Sequence, residues 1–220
     1  PSGEAYSLSA ANVNIDPEKS RNLELGVKAE SADGRLSWRA SVFRTTKYNE
    51  RNTDTALTVP GTNTPVIALS GKRHATGLEF DAAGRITPAW EVYTSWMWIP
   101  GAKVEKAIAG ITSVGDRQGD RPGLTPKLSG TVWSTYQINE QWRVGAGLNY
   151  RSKQRGLRSA AFVPAFTTAD ALVEYRPSEE WTVKGNISNL TNKYYADQLY
   201  PAFYVPGAGR NVQVTASYAF

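Results

Sequence analysis

The stretch that decides the fold is Trp142-Arg143-Val144-Gly145-Ala146-Gly147-Leu148-Asn149-Tyr150. Trp142, Val144, Ala146, Leu148 and Tyr150 fall on one side of an extended chain, and Arg143, Gly145, Gly147 and Asn149 on the other. Successive side chains of a strand point to opposite faces, so this period of two predicts a strand with one apolar and one polar face. An aromatic ring closes the apolar face at each end.

The same pattern recurs outward in both directions. Leu23, Leu25, Val27 and Ala29 alternate with Asn22, Glu24, Gly26 and Lys28. After the turn Ser31-Ala32-Asp33-Gly34, Leu36, Trp38, Ala40 and Val42 alternate with Arg35, Ser37, Arg39 and Ser41. Leu78/Phe80/Ala82 oppose Glu79/Asp81, and Trp90/Val92/Thr94/Trp96/Trp98 oppose Glu91/Tyr93/Ser95. A strand over about 127–136 leaves the face of Trp133 open. Ala169/Ala171/Val173/Tyr175, Trp181/Val183/Gly185/Ile187 and Val212/Val214/Ala216/Tyr218/Phe220 complete the set. About nine antiparallel strands and no convincing helix are predicted.

Short turns are expected near 31–34, 84–89, 138–141 and 176–180. Long polar segments are expected near 47–74, 100–126, 151–164 and 191–209, and the two kinds alternate. Outer-membrane barrels are built this way, with short turns on the periplasmic side and long loops outside. The aromatics agree. Trp38, Trp90, Trp142 and Trp181 open the strands that leave short turns, and Tyr136, Tyr175 and Tyr218/Phe220 close the strands that arrive there. Tyr48, Trp96, Trp98 and Tyr150 mark the long-loop ends. Two aromatic belts a strand length apart suit rings seated at lipid headgroups. A soluble sandwich would also be apolar on one face, but nothing would drive tryptophan to its strand ends. An odd number of strands, running from the outside to the inside, suggests part of a wider barrel, since bacterial single-chain barrels close with an even count.

Composition excludes other classes. Twenty-five Lys+Arg against 20 Asp+Glu give a charge of only +5 on 220 residues, less than nucleic-acid domains usually concentrate on one face. Mean hydropathy is −0.43, and no apolar run approaches the roughly 18 residues of a membrane-crossing helix. There is no cysteine and one histidine, hence no disulfide framework, thiolate nucleophile or His-rich metal cluster. The chain opens Pro1-Ser2-Gly3 and reads as a segment of a longer protein.

Several motifs, in order, resemble the C-terminal β-barrel region of TonB-dependent outer-membrane receptors of the siderophore branch. They are Pro17-Glu18-Lys19-Ser20 running into Glu24, Gly26 and Lys28; Gly77-Leu78-Glu79-Phe80 with Gly84-Arg85-Ile86-Thr87-Pro88; Asn189-Leu190-Thr191-Asn192-Lys193-Tyr194-Tyr195; and Pro206-Gly207-Ala208-Gly209-Arg210 before a strand ending in Phe220. In many relatives Gly209 would be Pro and Asn211 Thr or Ser. The resemblance implies an all-β, antiparallel transmembrane β-barrel of 22 strands, with residues 1–220 as about its nine C-terminal strands and the plug domain outside this chain. It implies import of a ferric siderophore across the bacterial outer membrane, and coupling to the TonB energy-transducing complex through an N-terminal region. Outer-membrane lipid and lipopolysaccharide would be the surroundings, with no nucleic-acid partner. Iron would arrive already chelated, so no cofactor, protein metal ligand or catalytic residue is expected.

The lumen lining is expected from Glu24, Lys28, Arg39, Glu91, Arg143, Asn149, Asp170 and Lys184. Glu79 and Asp81 share that side and read as polar wall rather than an acid–base pair. His74 reads as a solvated loop residue, and Gly145-Ala146-Gly147 lies mid-strand with no helix behind it, so it is no phosphate loop. The sharpest charge feature is Arg151-Ser152-Lys153-Gln154-Arg155-Gly156-Leu157-Arg158. It lacks interleaved stacking aromatics for nucleic acid. Two readings stay open for it, pairing with lipopolysaccharide and capture of an anionic ferric complex through charge-assisted hydrogen bonds. Arg73, Arg117, Arg121 and Arg210 could join a capture field. Tyr48, Trp98, Tyr204, and also Tyr194, Tyr195 and Phe203, could offer stacking surface for a flat chelator. The mix inclines the ligand toward a catecholate type. A passive or other-cargo barrel (cobalamin, sugar) and a soluble carbohydrate-binding sandwich are the alternatives.

Overall fold

A computed structural model describes residues 16–220, apart from 59, 62, 64, 108–115, 157–158 and 201–202; over 52–58 and 65–70 it describes the backbone. The strands are β1 (Lys19–Glu30), β2 (Leu36–Thr58), β3 (Pro65–Thr87), β4 (Trp90–Lys106), β5 (Leu128–Gln137), β6 (Trp142–Arg151), β7 (Gln154–Arg155), β8 (Phe162–Val163), β9 (Phe166–Tyr175), β10 (Trp181–Ser188), β11 (Ala196–Leu199), β12 (Tyr204–Pro206) and β13 (Asn211–Tyr218). Nine of them form one antiparallel sheet in the order β1-β2-β3-β4-β5-β6-β9-β10-β13. The short pairs β7–β8 and β11–β12 are hairpins inside two of the long connections. Every sheet neighbour is thus the next sheet strand along the chain, the up-and-down topology of a barrel wall. The sheet is open, with β1 and β13 as its edges. Among the described residues the other pairings are those two hairpins, and no second sheet stacks on this one.

Register turns the alternation into rows, because residues directly opposite in an antiparallel pair share a face. Near the short turns Trp90 opposes Tyr136, Trp142 opposes Tyr175 and Trp181 opposes Tyr218. Trp142 stacks on Tyr175 with ring centroids 4.4 Å apart, and Trp181 meets Tyr218 at 5.1 Å. Toward the long loops Trp96, Gly130 and Tyr150 form one row, and Leu78, Trp98 and Leu128 the next. From Trp142 to Tyr150 is about 27 Å of strand, enough for a tilted strand to cross the apolar band of about 25 Å in such barrels. Between the belts the outward row is uncovered: Leu25 is 76% and Val214 70% exposed, while the buried apolar side chains among the described residues are Ile99, Val104 and Ala196. A sheet with so little core beneath it is stabilised by ladder hydrogen bonds and by the lipid its apolar face would meet.

The other face carries Glu24, Lys28, Arg39, Glu91, Arg143, Asn149, Asp170 and Lys184, as the alternation predicts. Trp133 also takes this face, opposite Tyr93 and Gly147. A Cβ on Gly147 would lie 2.2 Å from Trp133 Cε3, so only glycine there leaves room for the indole.

Of the long segments expected at 47–74 and 100–126, most of the first and the start of the second, to Lys106, are corrected to strand. β2 and β3 pair far beyond the belt, with bulges such as the one at Asn49 (φ 52°), and β4 continues to Lys106. Twenty-three residues make about 75 Å of strand, three times the apolar band. Beyond the hydrocarbon both faces are wet, so pairing persists while the alternation that signals it disappears.

Candidate functional site

The lumen-facing wall is a chain of paired charges. Arg39 Nε donates to Asp81 at 2.7 Å. Glu91 accepts from Arg85 at 3.1 Å, from Thr135 at 3.2 Å and from Arg143. Glu174, only 4% exposed, lies between Arg176 at 2.7 Å and Lys184 at 3.1 Å. Asn149 donates to Asp170 at 2.8 Å and accepts from Thr131 at 2.9 Å. Asp81 is committed to Arg39 as part of this polar wall.

At the long-loop end the arginines divide. Arg73 is half-buried and bonds Glu50 at 2.6 Å and Asp116 at 2.9 Å. Burial opposes its charge, but the hydrogen bonds to Asp116 and Glu50 prevail and hold its pKa above the ordinary value. Arg117 pairs with Asp120 at 3.1 Å. Arg121 is engaged with backbone: it donates to the carbonyls of Ile99 (2.7 Å), Thr125 (3.0 Å), Pro126 (3.2 Å) and Pro100 (3.4 Å), fastening its loop to the end of the membrane-crossing part of β4. Burial pulls its pKa below the ordinary value. Trp98 is also corrected as a ligand contact, since its register with Leu78 and Leu128 places it on the outward face. Tyr48 lies above the belt with the Lys72 ammonium 5.5 Å from its ring centroid. Arg158 lies outside the described residues.

His74 is corrected too. It sits in β3 with its side chain 15% exposed, and Glu105 Oε1 lies 2.7 Å from Nδ1, off the line of a ring N–H bond. Glu105 also holds Lys72 at 2.5 Å and Arg44 at 2.9 Å. The Lys72 hydrogen bond does most to hold the Glu105 carboxyl below the usual carboxylate range.

The last loop supplies the aromatic surface. Its base is set by Asn189, which is buried at φ 50°. The side chain donates to the carbonyls of Lys193 and Ala208, both at 2.9 Å, and accepts from Lys193 N–H at 2.7 Å. Its own N–H donates to Asp170 at 2.8 Å. Asn192, at φ 51°, accepts from Arg210 N–H at 2.9 Å. The two asparagines of the Asn-Leu-Thr-Asn motif are therefore turn residues, tolerant of the left-handed region and able to bond nearby backbone. They thereby place Arg210, whose residue is exposed, at the root of the loop.

On this base Tyr194 and Tyr204 share a hydroxyl hydrogen bond at 3.0 Å, and Tyr200 stacks on Phe203 at 4.6 Å. Tyr194 is 70% and Phe203 61% exposed. Tyr195 instead turns inward onto the Phe166 ring at 4.4 Å, over Gly207, where a Cβ would lie 2.0 Å from its Cζ. Arg151 completes that stack, 5.2 Å from the Phe166 ring centroid, and donates to the Asp197 carbonyl at 2.9 Å. Arg155 lies 4.4 Å over Phe162 in a different place. The structure thus joins Arg151 to Tyr195 through Phe166, pairs Tyr194 with Tyr204, and places Arg155 over Phe162 instead. Tyr200 and Asp197 were not foreseen, because loop residues carry no periodicity; the stacking offset from Phe203 was the only available sign.

The family model for TonB dependent receptor-like β-barrels matches residues 1–190. The chain is 31% identical to the catecholate siderophore receptor Fiu of Escherichia coli K12 over its whole length, covering 29% of that protein. It is 30% identical to the probable TonB-dependent receptor BfrD of Bordetella pertussis, with 96% of this chain and 28% of that protein aligned. The crystal structure of the siderophore receptor PiuA from Acinetobacter baumannii superposes with a TM-score of 0.83 at 27% identity, over 96% of this chain and 30% of that one. The chain spans under a third of the length of these relatives.

Proposed function

The chain belongs to the TonB-dependent receptor β-barrel family, and from that premise we propose that its full-length protein imports a ferric siderophore across the bacterial outer membrane. The family consists of outer-membrane receptors and transporters, so the work is binding and passage with no bond of the cargo made or broken. The observation that carries the cargo reading is the exposed aromatic surface of the last loop, Tyr194, Tyr200, Phe203 and Tyr204. Flat rings at the mouth of a polar lumen suit a chelator that is itself aromatic and anionic. Such rings add about 0.5–1.5 kcal/mol per stacked pair beyond the area they bury. A catecholate fits this chemistry, and the relative named a catecholate receptor supports it.

In this reading the iron is cargo, enclosed by its chelator, and takes no ligand from the wall. The sheet forms the C-terminal part of the barrel. The charged lumen rows face a plug supplied by the rest of the receptor, and the TonB complex acts on that other part.

The test is fluorescence-quenching titration of the full-length receptor in detergent with ferric catecholate, hydroxamate and citrate complexes, beside the Tyr194→Ala/Phe203→Ala/Tyr204→Ala variant. Tight binding of one class, weakened about tenfold or more in the variant, is expected. A folded receptor that binds no ferric complex would refute ferric-siderophore import and turn attention to another cargo. Binding that ignores the variant would remove the loop from the capture site.

A further inference from the structure

The last long connection is held to the wall by the Asn189 network and by a run of ring contacts that begins at Arg151. Arg151 opposes Ser129 and Phe166 in the lumen row, within the ends of β6, β5 and β9. Its guanidinium lies 5.2 Å from the Phe166 ring centroid, and the Phe166 ring lies 4.4 Å from that of Tyr195. The Tyr195 ring in turn covers Gly207. Arg151 Nη1 also donates to the Asp197 carbonyl at 2.9 Å, and the Asp197 carboxylate is 3.8 Å from Nη2.

These contacts fall at the feet of one hairpin. Tyr195 and Gly207 stand immediately outside β11 and β12, joined by a bond from Gly207 N–H to the Tyr195 carbonyl at 2.9 Å, and Asp197 lies within β11. The wall thus grips both strands of the hairpin that carries Tyr200, Phe203 and Tyr204. A planar guanidinium can rest on a ring and still donate sideways to a carbonyl, which an ammonium does less well. Asp197 meets part of its charge. The guanidinium also borders a cavity of about 250 Å³ with Leu124, Pro126, Gln154 and Leu199, so residues of the long connections are its neighbours.

We propose that Arg151 is a positioning residue for capture: through Phe166, Tyr195 and Gly207 it sets the attitude of the aromatic hairpin, and so governs how long a bound ferric complex is held rather than how fast it is caught. A rim cation that meets the anion itself acts strongly on encounter and on its salt dependence. Arg151 instead directs a ring contact and a backbone hydrogen bond to the feet of the hairpin. Two strands alone are marginal in water unless packed on something, so the hairpin depends on these contacts for a fixed place above the lumen mouth. Differences among variants of one binding site fall mostly on dissociation, and loosened feet shorten the bound state. The proposal rests on the ferric-siderophore reading of the receptor.

The experiment uses the full-length receptor in detergent. Stopped-flow quenching with a ferric catecholate complex, hydroxamate and citrate complexes alongside, gives kon, koff and the salt dependence of kon. The wild type is compared with Arg151→Lys, Gly207→Ala and the double variant. Arg151→Lys keeps the charge and loses the planar fork, so koff should rise about fivefold while kon and its salt dependence stay as they are. Gly207→Ala adds one methyl under Tyr195 and should raise koff to a similar degree, and the double variant should do no more than the larger single one. In the receptor without cargo, exchange of the Tyr200 amide, which donates to the Phe203 carbonyl at 2.9 Å, should quicken by a similar factor in both single variants. Should Gly207→Ala fold poorly, Phe166→Leu takes its place in the cycle. Effects that add in the double variant would overturn the proposal, since Arg151 would then act apart from the ring contacts. So would a fall in kon with altered salt dependence, the mark of a direct anion contact, or unchanged Tyr200 exchange in both variants. Failure of the cargo reading would show separately, as a wild-type receptor that binds none of the ferric complexes; Tyr200 exchange would then decide whether Arg151 holds the hairpin.

Discussion

Replacing Asn189 probes whether one buried amide organises the last loop. Its side chain makes three hydrogen bonds, at 2.9, 2.9 and 2.7 Å, which tie Lys193 and Ala208 to the end of β10. In Asn189→Ala all three are lost, at about 1 kcal/mol each for the net bonds. Alanine at φ 50° adds about 1 kcal/mol of left-handed strain. The loop base should open more easily by about 4 kcal/mol, roughly a thousandfold in its local opening constant, capped where the loop is already open. Asn189→Gly loses the bonds but not the permissive backbone, so it should fall short of alanine by about fivefold to tenfold. The assay is amide exchange of Asn192 and Lys193 in the full-length receptor, with trypsin nicking at Lys193 as a second readout. Lys193 is the informative amide, because its N–H donates to the substituted side chain. Protection of Lys193 unchanged within about twofold in Asn189→Ala would refute the account. Equal effects of alanine and glycine would refute the strain contribution alone.

Gly147→Ala should destabilise the wall by about 1–3 kcal/mol through overpacking against Trp133, seen as a lower thermal midpoint in micelles; Trp133→Leu in the same chain should recover most of the loss. Arg121→Lys cannot reach four carbonyls at once, so the 116–127 segment should become protease-sensitive while β5 and β6 keep their amide protection. Unchanged proteolysis would show that those bonds contribute little. In the short turn after β1, hydrogen bonds from Ser31, from the Arg35 N–H and from the Arg35 guanidinium, in that order, hold Asp33 at about 2, against an ordinary 3.8. A depressed carboxylate stabilises the fold above its unfolded pKa and loses that effect as pH falls through its folded one. The turn should therefore loosen between about pH 4 and pH 2, and NMR titration of Asp33 with a midpoint near 4 would contradict the geometry.

The membrane-crossing part of the fold was legible because solvent wrote it into the chain. Trp142 to Tyr150 passes between hydrocarbon and lumen at every second residue, and rings stand where the strand leaves the lipid. The same contrast placed Glu24, Arg39, Arg143 and Lys184 on the polar face without a structure. Beyond the belt that contrast ends. β2 and β3 continue as strands that the alternation does not report, and His74, expected in a loop, lies in a strand against Glu105. The face of Trp133 was ambiguous from its own neighbours and was decided by the space above Gly147, one strand away.

The candidate site divides in the same manner. The sequence alone determined that cations and aromatics collect on the long-loop side, since that depends only on composition between strands. Which of them face the lumen was decided by tertiary structure. Arg121 is drawn off by four backbone carbonyls, Trp98 is turned outward by its register with Leu78, and Arg151 and Arg155 part to different rings, Phe166 and Phe162. Outside the membrane a side chain's direction follows from which backbone groups need a partner and which neighbouring strand or loop supplies it, and those are relations between residues far apart in the chain.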